Sequence, residues 1–364
     1  MTTTDSSRRQ YRVVVLRGDG IGPEVVAAAL TVLEAVAADG GFVLDLHEAE
    51  AGAACYERTG RAMSDGTFAA CRDADAVLKG PVGLPGVRAS DGTEAGLLGG
   101  ILRRGLDLYA NLRPVRLYPG VHSALAGRDA GSIDYAIVRE NTEGLYISRG
   151  LGVATDQAVA DTLLVTRLGC ERIARFAFDL ARSRRGAPAD GVHRVTCVDK
   201  SNVLRSLAFF RKIFYEVGEQ YPDIEKDVLY VDAAAQALVL DPGHFDVLVC
   251  ENFIGDILSD LGGATVGGLG FCPSANIGEA GAYFEPIHGS APTLTGQDRA
   301  NPIATILSCA LLLEHLGEQG AAFRLREAAE RCLRERRIVP AADGMILSGT
   351  RAAGEAIAAL IRSV

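Results

Sequence analysis

The chain has 364 residues, 48% of them hydrophobic and 42 of them glycine, enough to bury a large core and to build two domains. A formal charge of −9 leaves no basic footprint for nucleic acid, and the opening MTTTDSSRRQYRVVVL lacks the apolar h-region of a secretory signal. A globular protein of the cytoplasm is expected, with neither a nucleic-acid nor a membrane partner.

Taken in chain order, short β-branched runs alternate with helical patterns. RVVVL (12–16) reads as a buried strand, PEVVAAALTVLEAVAA (23–38) as a helix with Pro23 in its first turn, and DAVLK (75–79) as the next strand. Further strands are predicted at 134–140, 193–199 and 245–252. Helices are predicted at 161–182, 203–220, 303–316, 321–335 and 350–362. The apolar stretch Ile303 to Leu313 is broken by Thr305 and Ser308 and stops at Glu314, too short to span a bilayer, so it reads as a buried helix. No repeat or low-complexity linker separates one half from the other, so two domains should interleave. Eight cysteines are scattered without a C-x-x-C pair, as small core hydrophobes in a reducing compartment would be; Cys250 and Cys272 are read the same way.

The glycine cluster G18-D-G-I-G-P-E24 follows a strand and precedes a helix, which invites a dinucleotide-binding reading. Its spacing refuses it. The fingerprint needs G-x-G-x-x-G with an acid about twenty residues later, whereas here glycines fall at 18, 20 and 22 and a proline follows. A structural turn and a cofactor loop both remain open.

E251-N-F-I-G-D-I-L-S-D260 carries more. Asp256 and Asp260 are four apart, so on a helix both carboxylates leave one face, while Ile257, Leu258 and Leu261 can face the core. Like charges at that spacing repel, and hard oxygen ligands suit Mg²⁺ or Mn²⁺. A solvated acidic helix face is the alternative; the uncharged, glycine-rich run GGATVGGLGF that follows favours a close-packed interior. Arg103, Arg113 and Arg139 supply the complementary charge. Guanidinium groups clamp carboxylates, and three converging on one pocket would suit a substrate with two or more of them. Taken singly, each reads as a surface arginine, except that Arg139 ends an apolar strand, where sites often open.

Seven blocks then carry a resemblance over nearly the whole chain: GDGIGPE (18–24), LDLYANLRPV (106–115), VRENTEGLY (138–146), DKSNVL (199–204), VDAAAQALV (231–239), ENFIGDILSDLGG (251–263), and FEPIHGSAP with ANPIATILS (284–292, 300–308). The sequence resembles the β-decarboxylating dehydrogenases, the family of isopropylmalate, isocitrate, homoisocitrate and tartrate dehydrogenases. The resemblance implies an isopropylmalate dehydrogenase-like two-domain α/β fold with a large twisted mixed sheet and a non-Rossmann cofactor site. It implies a cofactor-binding domain of residues 1–108 plus 267–364, and a smaller domain, 109–266, holding the dimer interface and the metal and substrate residues.

By the same resemblance Asp256 and Asp260 are metal ligands, joined by Asp232 of the neighbouring subunit. Arg103, Arg113 and Arg139 hold the malate carboxylates. Tyr146 and Lys200 form the catalytic pair, with Lys200 and Asp232 relaying a proton across a homodimer interface with shared active sites. The cofactor is expected on His288, Gly289, Ser290, Ala291, Pro292 and Thr293, with Asn301 and Asn202. Thr293 is a departure: NAD-preferring relatives carry an aspartate there, while the lysine, tyrosine and arginine of NADP-preferring relatives find no match. NAD is therefore expected, with NADP as the alternative, and Mg²⁺ or Mn²⁺ as the metal.

The stretch T93-E-A-G-L-L-G-G-I-L-R103 retains Glu94, Leu97 and Leu98, the type that reads an isopropyl group on C3, but its spacer to Arg103 is longer by a residue or two and contains Gly99 and Gly100. A roomier pocket without the isocitrate-type polar pair is expected, although NTEGLY and RPVRLYPGV look closer to the homoisocitrate and tartrate branches. The expected reaction is oxidation and decarboxylation of a 3-substituted malate to a 2-keto acid and CO₂. The alternatives are a non-decarboxylating tartrate-type dehydrogenase and a non-catalytic regulatory subunit of a heteromeric isocitrate dehydrogenase, the latter opposed by the presence of every catalytic residue type.

Overall fold

A computed structural model describes residues 9–90, 92–148 and 152–363. In chain order the strands are β1 Gln10–Leu16, β2 Val43–Ala49, β3 Ala76–Lys79, β4 Ala110–Arg116, β5 Asp134–Glu140, β6 Val153–Ala154, β7 Val159–Ala160, β8 Arg194–Asp199, β9 Glu225–Tyr230, β10 Val247–Cys250, β11 Pro273–Ile277 and β12 Ala282–Pro286. The helices are α1 Gly22–Gly40, α2 Ala53–Thr59, α3 Asp65–Asp73, α4 Gly99–Gly105, α5 Arg167–Ser183, α6 Arg205–Gly218, α7 Val231–Leu240, α8 Asn252–Thr265, α9 Ile303–His315, α10 Gln319–Arg334 and α11 Thr350–Arg362.

The chain divides into two compact units, one of residues up to Leu102 with Gly268–Ala275 and Ala280 onward, the other Arg103–Gly267 with Asn276–Glu279. The first break falls inside α4, between Leu102 and Arg103, rather than after residue 108. In the first unit the strand order is β2-β1-β3-β12, followed by β11, with β1 parallel to both β2 and β3. Parallel strands covered on both faces need apolar side chains on both, and Val13 to Leu16 are all fully buried. Every residue of α9 from Ile303 to Leu313 is buried too. The apolar stretch is thus core, and among the described residues no helix is long and apolar enough to cross a membrane.

In the second unit the order is β4-β5-β10-β8-β9, with β4 antiparallel to β5 and the others parallel. The sheet is mixed, and α5 and α6 pack on β5, β10 and β8, while α8 lies along β4 and β5 with α7 beside it.

Three sequence expectations shift at capping residues. The helix expected from 161 begins at Arg167, because Leu164 bridges to Gly144 and the Thr166 side chain accepts from Gly169 N as N-cap. The helix expected over 203–220 is Arg205–Gly218. The strand expected through 252 ends at Cys250, because Glu251 caps α8. Ile257, expected to face the core, is 53% exposed, since α8 packs through Ile254 and Leu258 one turn apart and leaves Phe253 and Ile257 outward. Cys250 and Cys272 are fully buried, and burial pushes the Cys250 thiol far up, so core packing is their role.

Candidate active site

The site in the second unit is built where β5 meets α8. Residues 135–138 of β5 are apolar and buried and deliver Arg139 at the strand's end with its side chain 2% exposed. Glu251 opens α8 by accepting from Phe253 N at 3.0 Å and Ile254 N at 3.2 Å, a negative charge at the positive end of the helix. Gly255 then lets helix and strand touch: a Cβ there would stand 2.7 Å from Arg139 Cγ and 2.8 Å from its Cβ. Arg139 Nη1 consequently forms an ion pair with Asp256 Oδ1, while its Nε and Nη2 donate to Asn252 Oδ1 at 3.1 and 2.7 Å.

Arg113 reaches the same carboxylate from β4. Its Nε donates to Asn111 Oδ1 at 2.6 Å, and its Nη1 to Ser259 Oγ at 2.6 Å and Asp256 Oδ1 at 3.2 Å, with Asp260 Oδ1 at 3.8 Å. The charge of Arg103 is felt at both Arg139 and Asp256. Arg113 and Arg139 therefore both reach Asp256, and the charge of Arg103 acts on the same pair.

Titration follows from that crowding. Burial, then Arg113 and Arg103, lower Arg139 below its ordinary value against the pull of Asp256. Burial alone would raise the Asp256 carboxyl, but Arg139 and Arg113 outweigh it and hold it low. Asp260 goes the other way: burial raises it and Asp256 adds to that, with Arg113 opposing. Tyr146, on the 3₁₀ turn Leu145–Ser148, donates from Oη to Asp256 Oδ2 at 2.9 Å; burial and that carboxylate raise its phenol, so it stays protonated at neutral pH.

Lys200, just after β8, is ion-paired with Asp232 in the first turn of α7, and this pairing draws the Asp232 carboxyl down. Among the described residues no three His, Cys, Asp or Glu side chains of one chain are placed so as to hold a metal ion together, so Asp232 does not join Asp256 and Asp260 here. Two carboxylates one helical turn apart, one of them with a raised pKa, fit a divalent cation that takes oxygen ligands. Asn202 lies exposed in the turn after Lys200.

The expected cofactor residues belong to the first unit. His288 to Pro292 form a loop rather than a helix, running into the short 3₁₀ turn Pro292–Leu294, with Ala291 left-handed at φ 37°, ψ 61°, a conformation costly for a residue with a Cβ. The glycine cluster supports this loop. Ile21 N donates to Ser290 O at 2.8 Å, Gly296 N to Glu24 Oε1, and a Cβ on Gly20 (φ +58°) would stand 2.0 Å from Ser290 O. The cluster thus acts as a structural turn under the loop. His288 Nδ1 lies 2.9 Å from Gly289 O, so its buried Nε2, which has no hydrogen-bond partner among the described residues, is left as an acceptor; burial lowers the ring's pKa and keeps it neutral. That orphaned nitrogen beside a strained backbone fits a bound cofactor. Asn301, by contrast, is committed to the protein, donating to Gly344 O and accepting from Ile303 N. Thr293 is exposed.

Of the residues expected to read the C3 group, Glu94 and Leu97 are half-buried and meet over Gly83, where a Cβ would touch both. Leu98 is fully buried and belongs to the core, which corrects its assignment to the pocket. Asn111, Asn252, Ser259 and Arg104 were not singled out by the sequence, although periodicity points to three of them: Asn111 lies two before Arg113 on a strand, and Asn252 and Ser259 lie four before and three after Asp256 on a helix.

On this α/β fold, buried arginines meeting a helix-borne carboxylate pair form a concentrated charged site of the kind found in enzymes. The profile of the isocitrate/isopropylmalate dehydrogenase family matches residues 12–357. The 3-isopropylmalate/3-methylmalate dehydrogenase of Methanocaldococcus jannaschii is 46% identical over 89% of this chain and 91% of its own. The 3-isopropylmalate dehydrogenase of Thermobifida fusca is 44% identical over 91% and 93%. The crystal structure of isocitrate dehydrogenase from Methylococcus capsulatus superposes with a TM-score of 0.85 at 38% identity, covering 97% of this chain and 99% of that one. The chain belongs to the isocitrate/isopropylmalate dehydrogenase family. It is an oxidoreductase acting on a CH–OH group, of a family that uses NAD and Mg²⁺ or Mn²⁺.

Proposed function

We propose that the chain oxidises the C2 hydroxyl of a malate carrying an alkyl group at C3 and releases CO₂, with NAD as acceptor. The observation that carries this reading is the convergence of Arg113, Arg139 and Tyr146 on Asp256, with Arg103 close enough to act on the same charges. Arg103, Arg113 and Arg139 bind the two substrate carboxylates, whose charge offsets the mutual repulsion of the guanidiniums. Asp256 and Asp260 would hold a divalent cation, which would supply Lewis-acid polarisation at the C2 oxygen, and the loop from His288 to Thr293 would hold NAD, which would supply hydride acceptance. Lys200 passes a proton to Asp232 and takes the hydroxyl proton in its place; after CO₂ leaves, Tyr146, protonated at neutral pH, delivers a proton to C3 and is later reprotonated from solvent. Glu94 and Leu97 face the C3 substituent. The half-buried Leu97 suits an alkyl group better than a third carboxylate, and the two relatives' names support the same choice.

The Lys200–Asp232 pair lies apart from Asp256 and Asp260 within one chain, so the reading includes a homodimer in which each chain completes its partner's site. The apolar side chains that one chain leaves exposed support it: Ile257 on α8, Leu240 on α7 at 66%, and Val153 and Val159 on the β6–β7 arm.

The test is turnover of 3-isopropylmalate, 3-methylmalate, homoisocitrate, isocitrate and tartrate with NAD or NADP and Mn²⁺, following reduced cofactor and CO₂ together. Alkyl malates should give the highest kcat/KM with the two products equimolar; a preference for isocitrate or homoisocitrate, or NADH without CO₂, refutes the proposal. Mixing refolded Tyr146→Phe and Lys200→Met chains in equal amounts should restore activity towards about a quarter of wild type, because half of the dimers are then heterodimers and one of the two sites in each is intact. No recovery would place Lys200 and Tyr146 of one chain in one site.

A further inference from the structure

Arg104 stands next to Arg103 on α4, and adjacent helical residues project about 100° apart, so the two guanidiniums serve different surroundings. The Arg104 side chain turns to the 3₁₀ turn that carries Tyr146: its Nη2 donates to Tyr146 O and to Ile147 O, each at 3.0 Å. A one-turn 3₁₀ helix leaves its last carbonyls without internal partners, and these two are among them. The rest of the turn is held by other groups. Leu145 N donates to Glu251 Oε1 at 3.2 Å, and Ser148 Oγ donates to Thr162 O at 2.6 Å. The Tyr146 ring meets Phe253 edge-on at 5.8 Å and lies 5.6 Å from the Arg139 guanidinium, but those contacts fix only the side chain. The side chain that clamps the backbone at Tyr146 itself is Arg104.

We infer that Arg104 is a positioning residue for Tyr146: it fixes the turn so that the phenol sits at Asp256 and in reach of the reacting carbon. It also ties that turn to the helix bearing the first arginine of the carboxylate clamp. The inference rests on the acid role of Tyr146 given above, and a double-mutant cycle separates the two. Arg104→Ala is expected to lower kcat roughly tenfold, with the KM of the alkyl malate changed less than about twofold, because the proton donor is displaced while carboxylate binding is kept. Arg104→Lys, which retains a donor, should recover most of the loss. In a Tyr146→Phe background, Arg104→Ala should cost almost nothing further, whereas a general structural role would lower kcat equally in both backgrounds. Wild-type kcat in Arg104→Ala, or equal losses in both backgrounds, overturns the clamp while leaving Tyr146 as acid. Wild-type kcat in Tyr146→Phe overturns the acid role and the clamp with it. Thermal unfolding of each purified dimer checks that the turn, and not the fold, has changed.

Discussion

Arg139 and Asp256 form an ion pair in which the guanidinium is almost wholly buried and the carboxylate is about one-third exposed. The pair joins the end of β5 to the first turns of α8, and it puts the proposed carboxylate-binding arginine and a proposed metal ligand on one contact. Removing Arg139 leaves Asp256 with Arg113 and Tyr146, but takes away its most buried counter-charge.

For that reason Arg139→Ala should lose both activity and stability. Asp256 keeps Arg113, Tyr146 and some water contact, so the loss should fall below the ~3 kcal/mol of a fully broken buried pair. Urea unfolding measures the loss, and kcat/KM should fall at least about a hundredfold with the missing carboxylate contact. Arg139→Lys should regain part of the stability without regaining the bidentate grip, so an active lysine variant would refute the clamp.

Asp260 gives the pH dependence its sign. Its folded pKa is raised, so whatever stability its neutral form contributes is present at low pH and lost as pH rises through that value. Asp256 behaves oppositely: its folded pKa is depressed, and its contribution is present above the unfolded value and lost as pH falls through the folded one. Mn²⁺ needs both ionised, so its stabilising shift in melting temperature should vanish on acidification, first as Asp260 takes up its proton. Asp260→Asn should melt higher than wild type without metal at pH 7 and show no Mn²⁺ shift. A retained shift would move the metal elsewhere.

Gly255→Ala tests the close approach of α8 to β5. The added Cβ meets Arg139 Cγ and Cβ, a strand residue's rigid base rather than a flexible tip, so the helix must shift. Overpacking of this kind costs about 1–3 kcal/mol, and here it also displaces Asp256 from both arginines. The Mn²⁺ concentration for half-maximal activity should rise at least several-fold. An unchanged metal requirement would show that the carboxylate pair tolerates a moved helix.

Thr293→Asp is directed at cofactor choice. A threonine neither repels a 2′-phosphate nor accepts from two ribose hydroxyls, whereas a carboxylate does both. The ratio of kcat/KM for NAD over NADP should rise by roughly tenfold, a little over 1 kcal/mol of discrimination. A ratio unmoved by the substitution would take Thr293 out of the ribose contact.

The chemistry-bearing residues were legible because their spacing carries geometry. A spacing of four from Asp256 to Asp260 means one face on any helix, and the ordered blocks from GDGIGPE to ANPIATILS identify the family without coordinates. Element boundaries were less legible, since Thr166 and Glu251 end one pattern by capping the next, an interaction of one side chain with one or two helix amides that hydrophobic periodicity does not register. Strands β2, β4 and β9 escaped for a related reason: their half-exposed, charge-bearing or proline-containing sequences lack the apolar runs of β1, β5 and β8.

Sequence by itself determined the family, the residue types of the site and the failure of the dinucleotide fingerprint, because each depends on identity and spacing along one chain. Only tertiary structure decided that Leu98 is core while Leu97 is half-exposed, that Gly20 exists to let Ser290 approach, and that Arg104 holds the carbonyls behind Tyr146. Those depend on which surfaces meet across scores of residues, and a side chain's burial or a glycine's necessity is a property of the neighbour it meets.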